Sequence, residues 1–141
     1  MPRERGRAAV AVQFEVRDAV AIADHGPFDL IVVLEALHDM ARPVDVLRAL
    51  RQTLSPEGCI LIADEKVADT FHAPGDDIER LMYGWSIVHC LPVSLAESPS
   101  AAIGTVIRAD TMRELADAAG FASLEVLPID AGFFRIYRLS P

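Results

Sequence analysis

The chain has 141 residues and a net charge of −8, with 52% hydrophobic and 24% charged residues. This length suits one domain, which buries about 68% of the surface that its unfolded form exposes. No apolar run approaches the roughly 20 residues of a membrane span and no signal peptide is recognisable, so we expect a cytoplasmic protein without a membrane partner. The acidic balance argues against nucleic acid as a partner, and Cys59 and Cys90 lack metal-type spacing, so no metal is expected.

The first part of the chain divides into a polar tail and a predicted strand. Residues 1–7 are polar and charged, so we expect a disordered tail, followed by a single domain over residues 8–141. Residues 8–20 alternate apolar and polar side chains, which is typical of a strand with one buried face. The apolar positions of this alternation are Val10, Val12, Phe14 and Val16.

Residues 28–65 predict one βαβ unit. Residues 30–34 and 60–63 are continuous apolar runs, as expected of parallel strands that are covered on both faces. Between them an amphipathic helix has Pro43 in its first turn, and residues 55–58 end it. Its apolar face consists of Val44, Leu47, Leu50 and Leu54.

Acidic side chains follow both strands of this unit. Ligands of parallel sheets bind beyond the carboxyl ends of the strands, so the residues at these ends form a predicted functional rim. The rim residues are Glu35, His38, Asp39, Asp64 and Glu65.

The next segment predicts a helix with an aromatic stripe. This helix covers residues 77–88, with Asp76 or Asp77 as its cap, and residues 89–92 end it. The stripe either packs in the core or roofs a pocket. Residues 94–105 then form a loop that is long enough to be a lid.

A further helix and a hairpin complete the predicted elements. The helix opens at residues 108–111, with Asp110 or Thr111 as its cap, and ends at Gly120. Two apolar segments joined by a tight turn follow, which predicts an antiparallel hairpin. They cover residues 124–129 and 133–139.

Taken together, these segments resemble the class I S-adenosylmethionine-dependent methyltransferases. The resemblance implies an α/β fold with a Rossmann-like sheet, mostly parallel and closed by an antiparallel C-terminal hairpin. The family's glycine-rich turn, which resembles GxGxG, has no counterpart in this sequence, so the implied sheet is truncated at its N-terminal half. The matching segments are VRDA, FDLIVVLEALHDMARPVDVLRALRQTLSPEGCILIADE, ERLMYGWSIVHCLPVSLAESPS, GTVIR, AGF and FFRIYRL.

The resemblance assigns cofactor contacts to two places on the rim. It places Asp18, with Ala19, at the adenine amine of S-adenosylmethionine. It places Leu34 and Glu35 beside the ribose and methionine portions. The structural alternative for these residues is that they cap the end of a strand and bind no ligand.

The resemblance also assigns a catalytic pair and an acceptor pocket. His38, with Asp39, would take a proton from the attacking hydroxyl of a small-molecule acceptor, and a neutral imidazole with a pKa of about 6.5 suits that task. Alternatively, His38 binds backbone and Asp39 caps the following helix. Tyr83, Trp85 and His89 would line the acceptor pocket, or else pack in the core.

Two functions follow from this resemblance. The first is transfer of a methyl group from S-adenosylmethionine to a small-molecule nucleophile. The second is that of an inactive methyltransferase remnant that acts as a dimerising interaction module. In the parent fold the strand at residues 30–34 pairs with a first strand that this sequence lacks, which leaves a bare edge. We expect residues 8–16 to fill this gap or a homodimer to cover it.

Overall fold

A four-stranded sheet organises the fold. The computed structural model describes residues 12–141 and contains the strands β1 (Phe28–Leu34), β2 (Leu54–Glu65), β3 (Ser123–Val126) and β4 (Phe134–Ser140), in the spatial order β1-β2-β4-β3. β1 pairs with β2 in parallel, and β4 pairs antiparallel with both β2 and β3. Three strands therefore share one direction. The predicted sheet, mostly parallel with an antiparallel C-terminal hairpin, is confirmed.

One face of this sheet carries the hydrophobic core. The helices α1 (Pro43–Gln52) and α4 (Ala109–Ala119) contact each other and contribute buried side chains to the core. Leu47 of α1 and Met112 of α4 are fully buried with Ile60 and Ile62 of β2. Alternate residues of a strand point to the same face, so the even-numbered side chains of β2 point to the core face.

The opposite face is open along β1. Leu30, Val32 and Leu34 point away from the core and are 52%, 49% and 64% exposed. β1 is also an edge strand of the sheet. The expectation that both faces are covered is therefore wrong for β1 within residues 12–141, because α1 and α4 both pack on the core face.

The predicted strand over residues 8–20 is wrong where the structure describes it. Residues 12–18 form no strand, because an alternating segment needs a pairing neighbour and these residues pair with no described strand. Residues 12–16 therefore do not fill the open edge of β1. A 3-10 helix, Ala19–Asp24, follows. Residues 8–11, and the predicted tail of residues 1–7, lie outside the described residues.

The βαβ unit forms with shifted boundaries. α1 begins at Pro43 as predicted but ends at Gln52, and Leu54 belongs to β2 instead of the helix face. Gly58 lies within β2, where an added Cβ would be 2.6 Å from the carbonyl oxygen of Phe28. Glycine therefore permits the close approach of β1 and β2 at this point.

The helix that carries the aromatic stripe continues beyond its predicted end. Asp76 caps α2 (Asp77–Trp85), as predicted. Pro92 does not stop it, because a π-helical turn, Ser86–Cys90, joins α2 to α3 (Leu91–Leu95) and Pro92 sits in the first turn of α3. The π turn changes the hydrogen-bond pattern directly before Pro92, which lets the helix continue past a residue that has no N–H to donate.

The last elements form in the predicted order but with other bounds: β3 ends at Val126 and not at residue 129, and residues 127–133, not a tight turn, connect it to β4. Arg108 occupies the N-cap without a side-chain hydrogen bond, so the predicted caps Asp110 and Thr111 are wrong. Gly120 ends α4 with a φ of +89°, a left-handed conformation that glycine adopts freely. Within residues 12–141 no helix combines the length and the apolar character needed to cross a membrane.

Candidate active site

The rim of the sheet is shaped by a strained residue. Immediately after β1, Glu35 adopts a φ of +47°, which is unusual for a residue with a side chain. Its N–H donates a hydrogen bond of 2.9 Å to the carbonyl oxygen of Ala63 on β2, which fixes the turn. The turn leads into a short 3-10 helix, Leu37–Asp39, and so brings His38 over the end of β2.

His38 is the centre of a buried charged cluster. Its side chain is 3% exposed, and Nδ1 lies 2.7 Å from Oδ1 of Asp64 and 3.1 Å from Oε2 of Glu65. We call these three residues the charged triad. Nδ1 carries at most one proton, and the shorter contact assigns it to Asp64. Oε2 of Glu65 is consequently buried beside a positive ring without a hydrogen-bond donor of its own.

The triad shifts the pKa values of all three members. Burial alone would lower the pKa of His38, but its interactions with Asp64 and Glu65 outweigh burial and raise the pKa to about 11. Burial raises the pKa of Asp64 to about 7, against the opposing effect of His38. Burial would raise the pKa of Glu65, but interactions with His38 and Asp64 lower it to about 2. At neutral pH His38 is therefore an imidazolium in this structure.

Two pockets meet at this rim. The first, which we call the rim pocket, has a volume of about 390 Å³ and is lined by Glu35, His38, Asp39, Glu65, Trp85, His89 and Cys90. The second, which we call the side pocket, has a volume of about 340 Å³ and includes Asp18, Ala19 and Met40 in its lining. Asp39 lines both pockets, so the two adjoin there.

The structure brings most of the predicted site residues to these two pockets. His38, Asp39, Glu35, Trp85 and His89 share the rim pocket, although the sequence assigned them to three different roles. Trp85 is 51% exposed and His89 is exposed, so neither packs in the core.

The predicted cofactor residues at residues 18–19 lie in the side pocket. The carboxylate of Asp18 accepts a hydrogen bond of 2.9 Å from the N–H of Val20 and so caps the 3-10 helix that follows. Ala19 lines the pocket beside it. Capping engages one oxygen of Asp18, so this residue can cap the 3-10 helix and contact a ligand at the same time.

Two predicted residues lie elsewhere. The side chain of Leu34 projects from the open face of the sheet. The hydroxyl of Tyr83 lies 3.2 Å from Nη2 of Arg108, and its ring packs edge-on against Phe71 with the ring centroids 6.3 Å apart. Tyr83 thus contacts Phe71, in the segment that precedes α2, and lines neither of the two pockets.

The structural alternative for the His38–Asp39 pair is not what the structure shows. Arg42 occupies the N-cap of α1 without any side-chain hydrogen bond, so Asp39 does not cap this helix. Oδ1 of Asp39 instead lies 3.3 Å from Nε2 of His38. Nδ1 of His38 forms a hydrogen bond with Asp64 and Nε2 lies next to Asp39, so neither ring nitrogen holds the backbone.

Sequence reasoning placed Asp64 and Glu65 on the rim but gave them no role. The available signal was the pair of acids that ends an apolar strand, and only the fold shows that both reach the same histidine. Cys90 was missed as a lining residue. Among residues 12–141, two groups have ligand atoms that lie within 4.8 Å of one another inside each group and could hold a metal ion, namely His38 with Asp64 and Glu65, and His38 with Asp39 and Cys90.

The family model described as "Methyltransferase domain" matches residues 1–126. The chain belongs to the class I S-adenosylmethionine-dependent methyltransferase family. No curated protein sequence matches it. The family match agrees with the strand order and with the position of the two pockets at the carboxyl ends of β1 and β2.

Solved methyltransferase structures share this fold. An O-methyltransferase family protein from Burkholderia thailandensis aligns with a TM-score of 0.64 at 15% identity, over 91% of this chain and 35% of its own. Human N-acetylserotonin methyltransferase in complex with SAM aligns with a TM-score of 0.60 at 17% identity, over 90% and 33%. PigF with SAH aligns with a TM-score of 0.61 at 20% identity, over 88% and 34%. The chain thus spans about a third of the length of these structures.

Proposed function

We propose that this chain supplies the acceptor side, and one wall of the cofactor side, of a methyltransferase site that acts on a small molecule with a hydroxyl nucleophile. The observation that carries the proposal is the position of His38 between the acids that end β2 and the open rim pocket. Small-molecule substrates are further supported by the similarity to a methyltransferase named for N-acetylserotonin.

In this proposal His38 handles the proton of the acceptor hydroxyl. Nδ1 is occupied by Asp64, so the ring is held in one orientation and Nε2 faces Asp39 and the pocket. The imidazolium must lose its Nε2 proton before it can act as a base, and an added positive charge nearby lowers the pKa of a histidine. The carboxylate of Asp39, 3.3 Å from Nε2, holds this nitrogen at the pocket, and the proton itself leaves to water in the open pocket.

The residues present fit a cationic methyl donor. S-Adenosylmethionine, when bound, supplies a methyl group on a positively charged sulfonium. Oδ1 of Asp39 and Oε2 of Glu65 are buried without hydrogen-bond donors, and the carboxylate of Glu35 lines the same pocket. We assign Glu35, with Leu34, to the ribose and methionine side of this cofactor, and the side pocket at Asp18 and Ala19 to its adenine.

Two measurements test this function. Calorimetric titration of the 141-residue chain with S-adenosylhomocysteine should give saturable binding, and mass spectrometry should detect a methylated product when S-adenosylmethionine is supplied with simple phenols. His38→Gln should abolish transfer while binding of S-adenosylhomocysteine persists. Absence of binding, or transfer by His38→Gln at the original rate, would overturn the proposal.

The open edge of the sheet favours a second candidate, a dimerising interaction module. Leu30, Val32 and Leu34 are half exposed or more on an edge strand, and exposed apolar edges of this kind template association. In this candidate a second copy of the chain covers β1. Sedimentation velocity should then show a homodimer. A stable monomer at about 100 μM, a concentration that saturates micromolar affinities, would count against this candidate.

A further inference from the structure

The rim pocket carries more negative charge than its own histidine can balance. Glu35, Asp39 and Glu65 line it, Asp64 lies directly behind, and no lining residue among those described is Lys or Arg. Four carboxylates and one imidazolium leave a formal charge of −3, or −2 when Asp64 holds a proton. The single positive charge of a sulfonium therefore leaves at least one negative charge without a partner.

The unbalanced charge has a definite position. Glu65 lines the pocket with a side chain that is 8% exposed, and its buried Oε2 has no hydrogen-bond donor. His38 cannot supply the donor, since its one Nδ1 proton goes to Asp64 at the shorter distance of 2.7 Å. A buried carboxylate without a donor of its own is costly, so a ligand that brings an N–H group to the carboxylate of Glu65 from the pocket gains an interaction that the protein leaves open.

The other wall of the pocket is aromatic. Trp85 is 51% exposed and lines the pocket with His89. The face of a tryptophan ring attracts cations, and it also packs well against another aromatic ring. A volume of about 390 Å³ is in the range of pockets that enclose a small aromatic molecule.

We propose that the rim pocket selects a ligand with a protonated amine on a small aromatic body, the ammonium group donating to Glu65 and the ring lying against Trp85. The inference rests on the proposed function in one respect, because that function makes this ligand the methyl acceptor. The charge preference itself follows from Glu35, Asp39 and Glu65.

Trp85 is the only tryptophan in the chain, so its fluorescence reports the occupancy of this pocket directly. Three phenols of similar size carry different groups at the end of the same short side chain: tyramine is a cation, tyrosol is neutral and 4-hydroxyphenylacetate is an anion. With excitation selective for tryptophan, tyramine should bind at least about tenfold more tightly than tyrosol, as expected for one charge-assisted hydrogen bond. The anion should bind least well, and added salt should narrow the differences.

Two variants locate the preference. Glu65→Gln should reduce the advantage of tyramine over tyrosol to about threefold or less. Glu57→Gln is the matched control, since it changes the net charge equally at an exposed position near the opposite end of β2 and should keep the preference. If Glu65→Gln fails to fold, Glu35→Gln at an exposed position of the same pocket should weaken tyramine binding selectively.

The outcomes separate this inference from the proposed function. Equal or tighter binding of tyrosol or of the anion overturns it. A tyramine preference without any methyl transfer refutes the proposed function and leaves the charge preference standing. Methyl transfer without the preference refutes the inference alone.

Discussion

Replacing His38 tests the charged triad most directly. His38→Gln removes the cation that holds Asp64 and Glu65 together, while both carboxylates stay in a site where their side chains are 0% and 8% exposed. Breaking a buried ion pair by removing one partner typically costs about 3–5 kcal/mol. A domain of this size has a free energy of unfolding of roughly 5–15 kcal/mol, so the loss is measurable and need not prevent folding.

The pKa values determine how the loss of unfolding free energy in His38→Gln should depend on pH. The pKa of His38 is raised from 6.5 to about 11, so its stabilising contribution is fully present below pH 6.5 and is lost as the pH rises through about 11. Removing His38 therefore costs progressively less above neutral pH. On the acid side, Asp64 and Glu65 of the variant can take up protons, which relieves their repulsion and again reduces the cost.

The expected result is a cost of His38→Gln that peaks near pH 7 and is smaller at both pH 4.5 and pH 10. Urea unfolding followed by far-ultraviolet circular dichroism at these three pH values measures it. His25→Gln is the control, because His25 is an exposed loop residue, and its substitution should cost less than about 0.5 kcal/mol at each pH. A cost of His38→Gln that is the same at all three pH values would refute the ionic basis of the triad.

Four further substitutions test the packing and the open face. Arg108→Gln should lower the free energy of unfolding by about 3–5 kcal/mol in urea, because it leaves the carboxylate of Glu79, whose side chain is 3% exposed, without its ion-pair partner. Gly58→Ala should cost about 1–3 kcal/mol in the same assay because its Cβ meets backbone at 2.6 Å, whereas Gly84→Ala, with no atom within 4 Å, should stabilise α2 by about 0.5–1 kcal/mol. Val32→Lys should convert a dimer to a monomer in sedimentation velocity if a second copy covers β1, and an unchanged dimer would place the interface elsewhere.

The sequence predicted the elements that local rules govern. The parallel pair β1 and β2 follows from two apolar runs separated by an amphipathic helix, and the cap at Asp76 and the stop at Gly120 follow from residue types alone. The strand predicted at residues 12–18 does not form, because alternation indicates a strand only when a neighbouring strand is there to pair with it. The predicted end of the helix at residues 89–92 is wrong, because a π turn before Pro92 lets the helix continue.

The sequence predicted where the candidate site lies but not which of its side chains contact one another. The carboxyl ends of parallel strands located Glu35, His38 and Glu65 correctly, since that rule depends on topology. The contact of one histidine ring with two acids depends on distances of 2.7 and 3.1 Å, which no sequence pattern encodes. The same holds for Tyr83, which a helical stripe places near Trp85 but which Arg108 holds on another side of α2.

The open face of the sheet and the rim pocket are physically connected. Leu30, Val32 and Leu34 lead along β1 directly into Glu35, whose left-handed turn sets the position of His38. A layer of chain that covers these three side chains would therefore end beside the pocket and exclude water from it. Each ion pair of the triad strengthens as water is excluded, because the local dielectric constant falls. Cover over β1, from a second copy or from another part of a methyltransferase domain, would thus stabilise the sheet and strengthen the charge preference of the rim pocket together.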